Sequence, residues 1–271
     1  MHRYYRYTTD DLLKYSPGLD VVLRDVDPSK REHNSLVFCT HLQYDCNNKT
    51  GFHDKASIWQ MLTDSRGKFQ GADLVHNRDV LRRTSSKPPF FGCFGLHEWA
   101  MLYSGRRVEG SSSISRHQEK LALRVTQQTI DDLVEKGGLK CTHFDAWRFF
   151  HPATKAWNMI PSMSRTNQRV YEQPGCVHSN MDLFKYAFQL YPFLSSSLLR
   201  ASLSLALHAR HIDMRASPYD VSLYVSGDPL EVETEEGRMQ YVKEQGELYE
   251  RGKGVRREIL ELYEDLLCNV F

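Results

Sequence analysis

The sequence lacks the features that mark several special classes of protein. Its six cysteines form no CxxC pair, so we expect reduced thiols and no structural zinc site of the closely paired kind. No run approaches the ~20 apolar residues that a membrane-spanning helix needs, and the first residues hold no apolar signal-peptide core. The formal net charge is only +1, whereas a domain that grips nucleic acid non-specifically is usually strongly basic.

What remains is the composition of an ordinary globular protein. Apolar residues make up 41% of the 271 residues and charged residues 25%. A chain of this length and composition can bury a large core without stabilising crosslinks. We predict a single globular domain over residues 1–271, with irregular loops at 27–53 and 105–116. The protein is expected to be intracellular and soluble, cytoplasmic or nuclear, with neither a membrane nor a disulfide-linked chain as a partner. The sequence leaves the oligomeric state open.

The spacing of apolar residues predicts an α+β fold that is predominantly helical. Leu121–Val125 and Leu139–Phe149 alternate as strands do, and they predict a small sheet packed by several helices. A long charged pattern from Thr234 to the C terminus predicts one helix, or two that break near Gly252 and Gly254.

The predicted strand Leu139–Phe149 carries a polar pair on one face. Side chains two positions apart share a face of a strand, which groups His143, Asp145 and Trp147 among apolar neighbours. Buried polar groups must be paired or put to use. The pair is therefore either satisfied inside a core or part of a ligand-binding or catalytic site, and both interpretations stay open.

The segment around His97 begins as a zinc-binding HExxH helix does. Met101 stands where the second histidine of that motif belongs, so the motif is incomplete. Trp99 fits a core-facing position on the same predicted helix.

A second helix start lies beyond Pro174, where Ser179 or Asn180 would cap it. A helix start is a natural anion site. His178, Asn180 and Lys185 are therefore candidates for a ligand contact, while Asp182 suits the dipole of the first turn.

The clearest helical pattern runs from Ser195 to Met214 and ends in a chemically dense loop. Its apolar stripe extends by helical steps to two charged residues: Leu199, Leu203, Ala206, Arg210 and Asp213. His208 and His211 fall on the solvated side despite their metal-like spacing. The loop that follows adds Arg215, Tyr219 and Asp220 as rim candidates.

Four blocks are long enough to carry a resemblance: FGCFGLHEWAMLY, LKCTHFDAWRFF, EQPGCVHSNMDLFKYA and HIDMRASPYD. Together they resemble a bacterial family, common in actinobacteria, whose members are commonly labelled 3-methyladenine DNA glycosylase. The resemblance extends from about Tyr4 to the last helix. Family members usually begin further upstream, which implies an N-terminally truncated chain.

The resemblance implies hydrolysis of the N-glycosidic bond of alkylated purines in damaged DNA, without a cofactor. A carboxylate would stabilise an oxocarbenium-like transition state, and aromatic faces would stack on the flipped cationic base. The candidate catalytic residues are Asp145, Asp213 and His143. The candidate substrate-binding residues are Trp99, His97, Trp147, His178, Asn180, Asp182, Lys185, Arg210, Arg215, Tyr219 and Asp220.

Two other functions stay open beside the glycosylase. His143 and Asp145, with His178 or His97, could form a site with two histidines and one carboxylate for iron or zinc. The chain would then be a hydrolase or oxygenase acting on a small molecule. Alternatively, the charged residues are scaffold in a non-enzymatic binding protein. We further expect the strand, the His178 helix start and the loop to meet at one pocket, with Asp145 and Asp213 on the same side of it.

Overall fold

A computed structural model describes residues 23–24, 43–45, 50–52, 71–105, 121–191 and 193–268. The chain divides into two compact units. One comprises Met1–Arg82, Leu183–Ser204 and Val255–Phe271, and the other comprises Arg83–Asp182 and Leu205–Gly254. The predicted loop at 105–116 lies outside the described residues except for Gly105, and most of the predicted loop at 27–53 also lies outside them.

Helices dominate the described residues. They are α1 (Ala72–Ser85), α2 (His97–Leu102), α3 (Gln127–Gly137), α4 (Phe144–Trp147), α5 (Pro152–Lys155), α6 (Gln168–Tyr171), α7 (Val177–Gln189), α8 (Ser196–Ala216) and α9 (Glu235–Cys268). Three strands of two or three residues, β1 (Leu23–Arg24), β2 (Gln43–Asp45) and β3 (Thr50–Phe52), pair antiparallel in the order β1-β3-β2.

The predicted α+β class is wrong: the protein is helical, and neither segment expected to form the small sheet is a strand. Residues 121–125 make only an isolated antiparallel bridge, which joins Leu123 to Tyr219. Beyond Leu139, the Asn158 side chain takes the place of a partner strand. Its Oδ1 accepts a hydrogen bond from the Cys141 N–H at 2.8 Å, and its Nδ2 donates to the Cys141 carbonyl at 2.9 Å. Alternation of side chains does not reveal which group pairs with an extended backbone, since tertiary contacts decide that.

Local sequence explains the ends of α3. The Thr126 side chain accepts a hydrogen bond from the Thr129 N–H at 3.1 Å and so caps the helix start. Gly138, at φ 64°, adopts the left-handed conformation that ends a helix without a Cβ clash. After this turn the chain continues toward Cys141 and the residues of the site.

Helix α9 continues through both glycines that the sequence marked as a break. Gly252 is buried, and a Cβ there would lie 2.2 Å from the Asn180 Oδ1 atom. Asn180 in turn donates from Nδ2 to the carbonyls of Pro174 and Cys176, at 3.0 and 2.9 Å. The glycine therefore allows α9 to approach the start of α7, and it serves packing rather than helix termination.

Polar contacts around Tyr263 hold together the elements of the unit that contains most of α1. The Tyr263 hydroxyl donates to the Tyr186 carbonyl at 3.0 Å, and the Asn77 side chain bonds to Gln189. Arg82 and Glu264 form an exposed ion pair at 2.8 Å. No helix of the described residues combines the length and the apolar character needed to cross a membrane.

Candidate metal centre

The unit formed by Arg83–Asp182 and Leu205–Gly254 buries two groups of metal-ligand residues. The first triad is His97, His178 and Asp213, and the second triad is His143, Glu172 and Asp182. In each triad, one possible ligand atom per residue lies within 4.8 Å of the other two. All six side chains are buried, which sets these groups apart from ordinary surface carboxylates.

A tight turn places His97 at the start of α2. Phe94 and Gly95 adopt positive φ angles of 46° and 67°, and the Leu96 N–H donates to the Cys93 carbonyl at 3.0 Å. A Cβ on Gly95 would lie 3.3 Å from the Ala216 Cβ, so this position combines a left-handed backbone with close packing.

The first triad contains two polar atoms that face each other. The His97 Nε2 and Asp213 Oδ1 atoms are buried and form an ion pair at 3.1 Å, and neither has a further hydrogen-bond partner among the described residues. The other oxygen of Asp213 accepts from the Arg210 guanidinium at 2.7 Å. Arg210 thus fixes the carboxylate and leaves its Oδ1 directed at His97.

The second triad is the more deeply buried of the two. His143 and Asp182 are 0% exposed, and Glu172 is 1% exposed. The His143 Nε2 atom lies 3.1 Å from the Asp182 Oδ2 atom and 3.9 Å from the Glu172 Oε2 atom. The Gln168 amide donates to the same Glu172 oxygen at 2.6 Å, which holds this carboxylate in place.

His178 connects the two triads. Its ring lies edge-on to the His97 ring at a centroid distance of 4.4 Å, and it stacks on the His143 ring at 5.2 Å. His178 and Asp182 are four residues apart on α7, so they share a helix face. The N-terminal half of α7 therefore supplies one ligand residue to each triad.

Charge and burial act differently on the three histidines. Burial alone would lower the pKa of His97, but the nearby Asp213 carboxylate raises it above its usual value. Burial also opposes the positive charge of His143, yet Asp182 and Glu172 raise its pKa overall. For His178, burial and the neighbouring His97 lower the pKa well below its usual value. A neutral imidazole is the form that binds metal, and His178 is held in that form.

Asp213 remains a carboxylate despite its burial. Burial would raise its pKa, whereas His97, His178 and Arg210 lower it, and the pKa falls below the usual value. The first triad therefore offers an ionised carboxylate beside a neutral imidazole.

A narrow pocket opens onto the first triad through His97 and His178. Its wall is partly apolar and includes the thiols of Cys93, Cys141 and Cys176. The other lining residues are Leu96, Leu139, Lys140, Thr142, Phe150 and Val177. Burial raises the pKa of Cys141 to about 12 and raises the pKa values of Cys93 and Cys176, so these groups are thiols rather than thiolates. Together with the exposed Cys268 they are free cysteines, whereas Cys39 and Cys46 lie outside the described residues.

The structure brings several of the predicted site residues together. His97, His143, His178, Asp182 and Asp213 are all members of the two triads. Arg210 lies beside them through its bond to Asp213. The three segments that were expected to meet at one pocket thus contribute to the same buried centre.

Asp145, predicted as a catalytic residue or metal ligand, belongs to neither triad. Helix α4 begins directly after His143 and turns the Asp145 side chain to an ion pair with Arg148 at 3.1 Å. The expectation that His143 and Asp145 share a strand face was wrong for this reason.

The predicted aromatic stacking residues lie apart from the triads. Trp99 is fully buried, and its Nε1 atom donates to the Ala216 carbonyl at 2.9 Å. Trp147 is half-buried, with the Lys155 ammonium 4.8 Å from its ring centre. Trp99 is therefore a core residue, and neither ring belongs to the wall of the pocket.

The remaining predicted binding residues have structural contacts. Arg215 donates to the Asp228 carbonyl at 2.7 Å and to Glu244 at 2.8 Å. Tyr219 is buried at the isolated bridge, whereas Asp220 is exposed and accepts from the Ser222 N–H at 3.0 Å. Asn180 holds the start of α7, and the Lys185 ammonium lies 5.6 Å from the Tyr186 ring centre in the other unit.

Sequence reasoning missed Glu172, and it assigned Asp182 to substrate binding or to the helix dipole rather than to a set of metal ligands. The spacing His178-x-x-x-Asp182 was a usable signal, because residues four apart share a helix face. Glu172 had no such signal, since it precedes α7 in an irregular segment.

A scan against protein-family models, a search of curated proteins and a search of solved structures found no match to this chain. The function of the chain must therefore be inferred from the chemistry of the centre itself.

Proposed function

We propose that the chain is a metal-dependent hydrolase that acts on small molecules, with its reactive ion held by the first triad. One observation carries the proposal. The buried His97 Nε2 and Asp213 Oδ1 atoms form an ion pair at 3.1 Å, and neither atom has a further partner among the described residues. A cation bound between the two atoms would replace this pair and leave neither buried atom unsatisfied.

The spacing of the atoms supports coordination to a common ion. Two ligands that each lie about 2.1 Å from one ion, at an angle of about 90–110°, are about 3.0–3.4 Å apart. The distance between His97 Nε2 and Asp213 Oδ1, 3.1 Å, falls within this range. His178 completes a set of two histidines and one carboxylate, which is typical of catalytic zinc and non-haem iron sites.

We take zinc as the ion of the first triad, since two histidines and one carboxylate form a ligand set of catalytic zinc sites. Cys93, Cys141 and Cys176 line the pocket together with His97 and His178, and as buried thiols they are poor targets for oxidation. A zinc ion held by three protein ligands would supply an activated water with a pKa of about 7.

The composition of the pocket wall favours a small substrate with an apolar part, and this narrow pocket would have to widen to admit it. Leu96, Leu139, Phe150 and Val177 line it, and Lys140 adds a cation. Apolar walls with few polar groups are usual for small-molecule sites.

The first test is the metal content of the purified chain and of variants in the first triad. His178→Ala and Asp213→Asn should each remove the zinc of this triad, measured by plasma mass spectrometry after desalting. His211→Ala is the matched control, because His211 lies on the same helix as Asp213 but bonds to the Ser226 carbonyl at 2.8 Å. Equal zinc in all four proteins would contradict the assignment.

The second test is hydrolysis of p-nitrophenyl esters and phosphoesters. Activity should disappear with a chelator and return with zinc, and Asp213→Asn should lower it by at least about a hundredfold. Hydrolysis that persists in chelated protein would rule out the metal-dependent route.

The glycosylase activity implied by the resemblance stays a prediction. Its test is base release from duplex DNA that carries alkylated purines, at high enzyme excess. Trp147, half-buried beside Lys155, is the aromatic candidate to replace in that assay. Release that survives Asp213→Asn but not Asp145→Asn would favour this activity over the metal-dependent hydrolase.

A further inference from the structure

We propose that the second triad, His143, Glu172 and Asp182, is a second metal site that is closed to substrate and holds its ion tightly. The inference adds to the proposed function, which concerns only the ion of the first triad. It depends on the ligand geometry, the buried charge and the position of the triad away from the pocket.

The geometry of the second triad fits a single divalent ion. The His143 Nε2 atom lies 3.1 Å from Asp182 Oδ2 and 3.9 Å from Glu172 Oε2. Both distances lie inside the roughly 4.2 Å span of two ligands bound about 2.1 Å from one ion. The ligand atoms of all three residues lie within 4.8 Å of one another, so a common ion would draw them together by side-chain adjustment.

The negative charge of the two carboxylates in the triad also favours a bound cation. Glu172 and Asp182 bring two carboxylates to one imidazole, and all three groups are at most 1% exposed. Buried charges are costly unless they are paired. A divalent ion bound by the three residues would balance both carboxylates. Lys87 adds positive charge nearby, but it donates to the Glu172 backbone carbonyl at 2.6 Å and not to the carboxylate.

The second triad differs from the first in its access to ligands. His97 and His178 line the pocket, whereas none of His143, Glu172 and Asp182 does. A closed site exchanges its ion slowly and has no position for substrate, as structural metal sites do. The stacking of His143 on His178, at 5.2 Å, allows the inner ion to orient a ligand of the outer one.

Imidazolium–carboxylate pairing without a metal is the competing account of the same contacts. In that account His143 is protonated and bonds directly to Asp182. The two accounts differ in the number of ions bound and in how fast each ion leaves, and both quantities can be measured on the full chain.

The experiment counts ions before and after brief exposure to a chelator. We expect about two ions per chain, of which the chelator removes one rapidly and the other slowly. Asp213→Asn should retain only the slow ion. Glu172→Gln and His143→Ala should retain only the fast one, and Asp145→Asn, which alters a carboxylate close to His143 but outside both triads, should retain both.

The outcomes separate the two proposals. A single ion that disappears in Asp213→Asn would overturn the second site and leave the proposed function intact. No bound ion at any zinc concentration would overturn both. If the His143 and Glu172 variants fail to fold, zinc titration of the metal-free wild-type chain decides the matter, because a single binding phase at one equivalent contradicts a second site.

Discussion

Replacing Gly252 by alanine tests how closely α9 must approach the start of α7. The new Cβ would lie 2.2 Å from Asn180 Oδ1 and 3.4 Å from a methyl carbon of Leu205. Asn180 cannot rotate away cheaply, because it is fully buried and donates to the carbonyls of Pro174 and Cys176. The helix must therefore shift, or these two hydrogen bonds must break.

Opposing contributions to the free energy of unfolding determine how strongly Gly252→Ala changes stability. Alanine in place of glycine inside a helix stabilises by about 0.5–1 kcal/mol. Overpacking costs about 1–3 kcal/mol, and each lost hydrogen bond costs about 0.5–1.5 kcal/mol. We expect Gly252→Ala to lower the free energy of unfolding by about 1–2 kcal/mol, because the steric cost exceeds the gain in helix propensity.

Gly254→Ala is the matched control for this prediction. A Cβ at position 254 meets no atom within 4 Å, so only the propensity gain of about 0.5–1 kcal/mol remains. Urea unfolding followed by circular dichroism should therefore give changes of opposite sign for the two variants. Equal stabilisation by both would show that α9 and Asn180 are not in tight contact, and the reasoning would fail.

Three further predictions concern residues around the centre. Trp99→Phe should lower the free energy of unfolding by about 1–3 kcal/mol, because it leaves the Ala216 carbonyl without the Trp99 donor; chemical denaturation measures this. Arg124→Lys should destabilise by about 2 kcal/mol, since Arg124 and Glu233 form a two-pronged, largely buried pair that lysine cannot reproduce; thermal unfolding with Glu233→Gln as a comparison checks it. Asp220→Asn should leave the melting temperature unchanged, because the exposed side chain keeps its acceptor for the Ser222 N–H; a clear drop would indicate a contact beyond this turn.

Helical periodicity predicted more of the fold correctly than strand-like alternation did. The stripe that extended to Asp213 placed this residue in the interior, where it is 2% exposed, because side chains at helical spacing share one face whatever they pack against. The alternation in Leu139–Phe149 misled for the opposite reason. An extended segment needs a partner for its backbone, and here that partner at Cys141 is the Asn158 side chain rather than a strand.

The residues of the candidate site divide in the same way, into those that a helix pattern predicted and those that it did not. His178 and Asp213 could be singled out because each lies at a recognisable end of a helix pattern. Glu172 could not, since its position depends on the turn at Pro174 and Gly175 and on the Gln168 amide that holds its carboxylate. The zinc motif at His97 was incomplete because its own helix lacks a second histidine, yet the second histidine, His178, comes from another helix.

The N-terminal half of α7 is the element that makes the two triads one centre. His178 faces the first triad and Asp182 the second, and Asn180 between them is held by the carbonyls of Pro174 and Cys176. Displacing Asn180 should therefore disturb both sites, and partners that position ligands are worth about 10–100-fold in metal affinity. We expect Gly252→Ala to weaken zinc binding at both triads even though Gly252 contributes no ligand atom. If Gly252→Ala destabilises the fold but leaves both affinities unchanged, the start of α7 does not position the ligands.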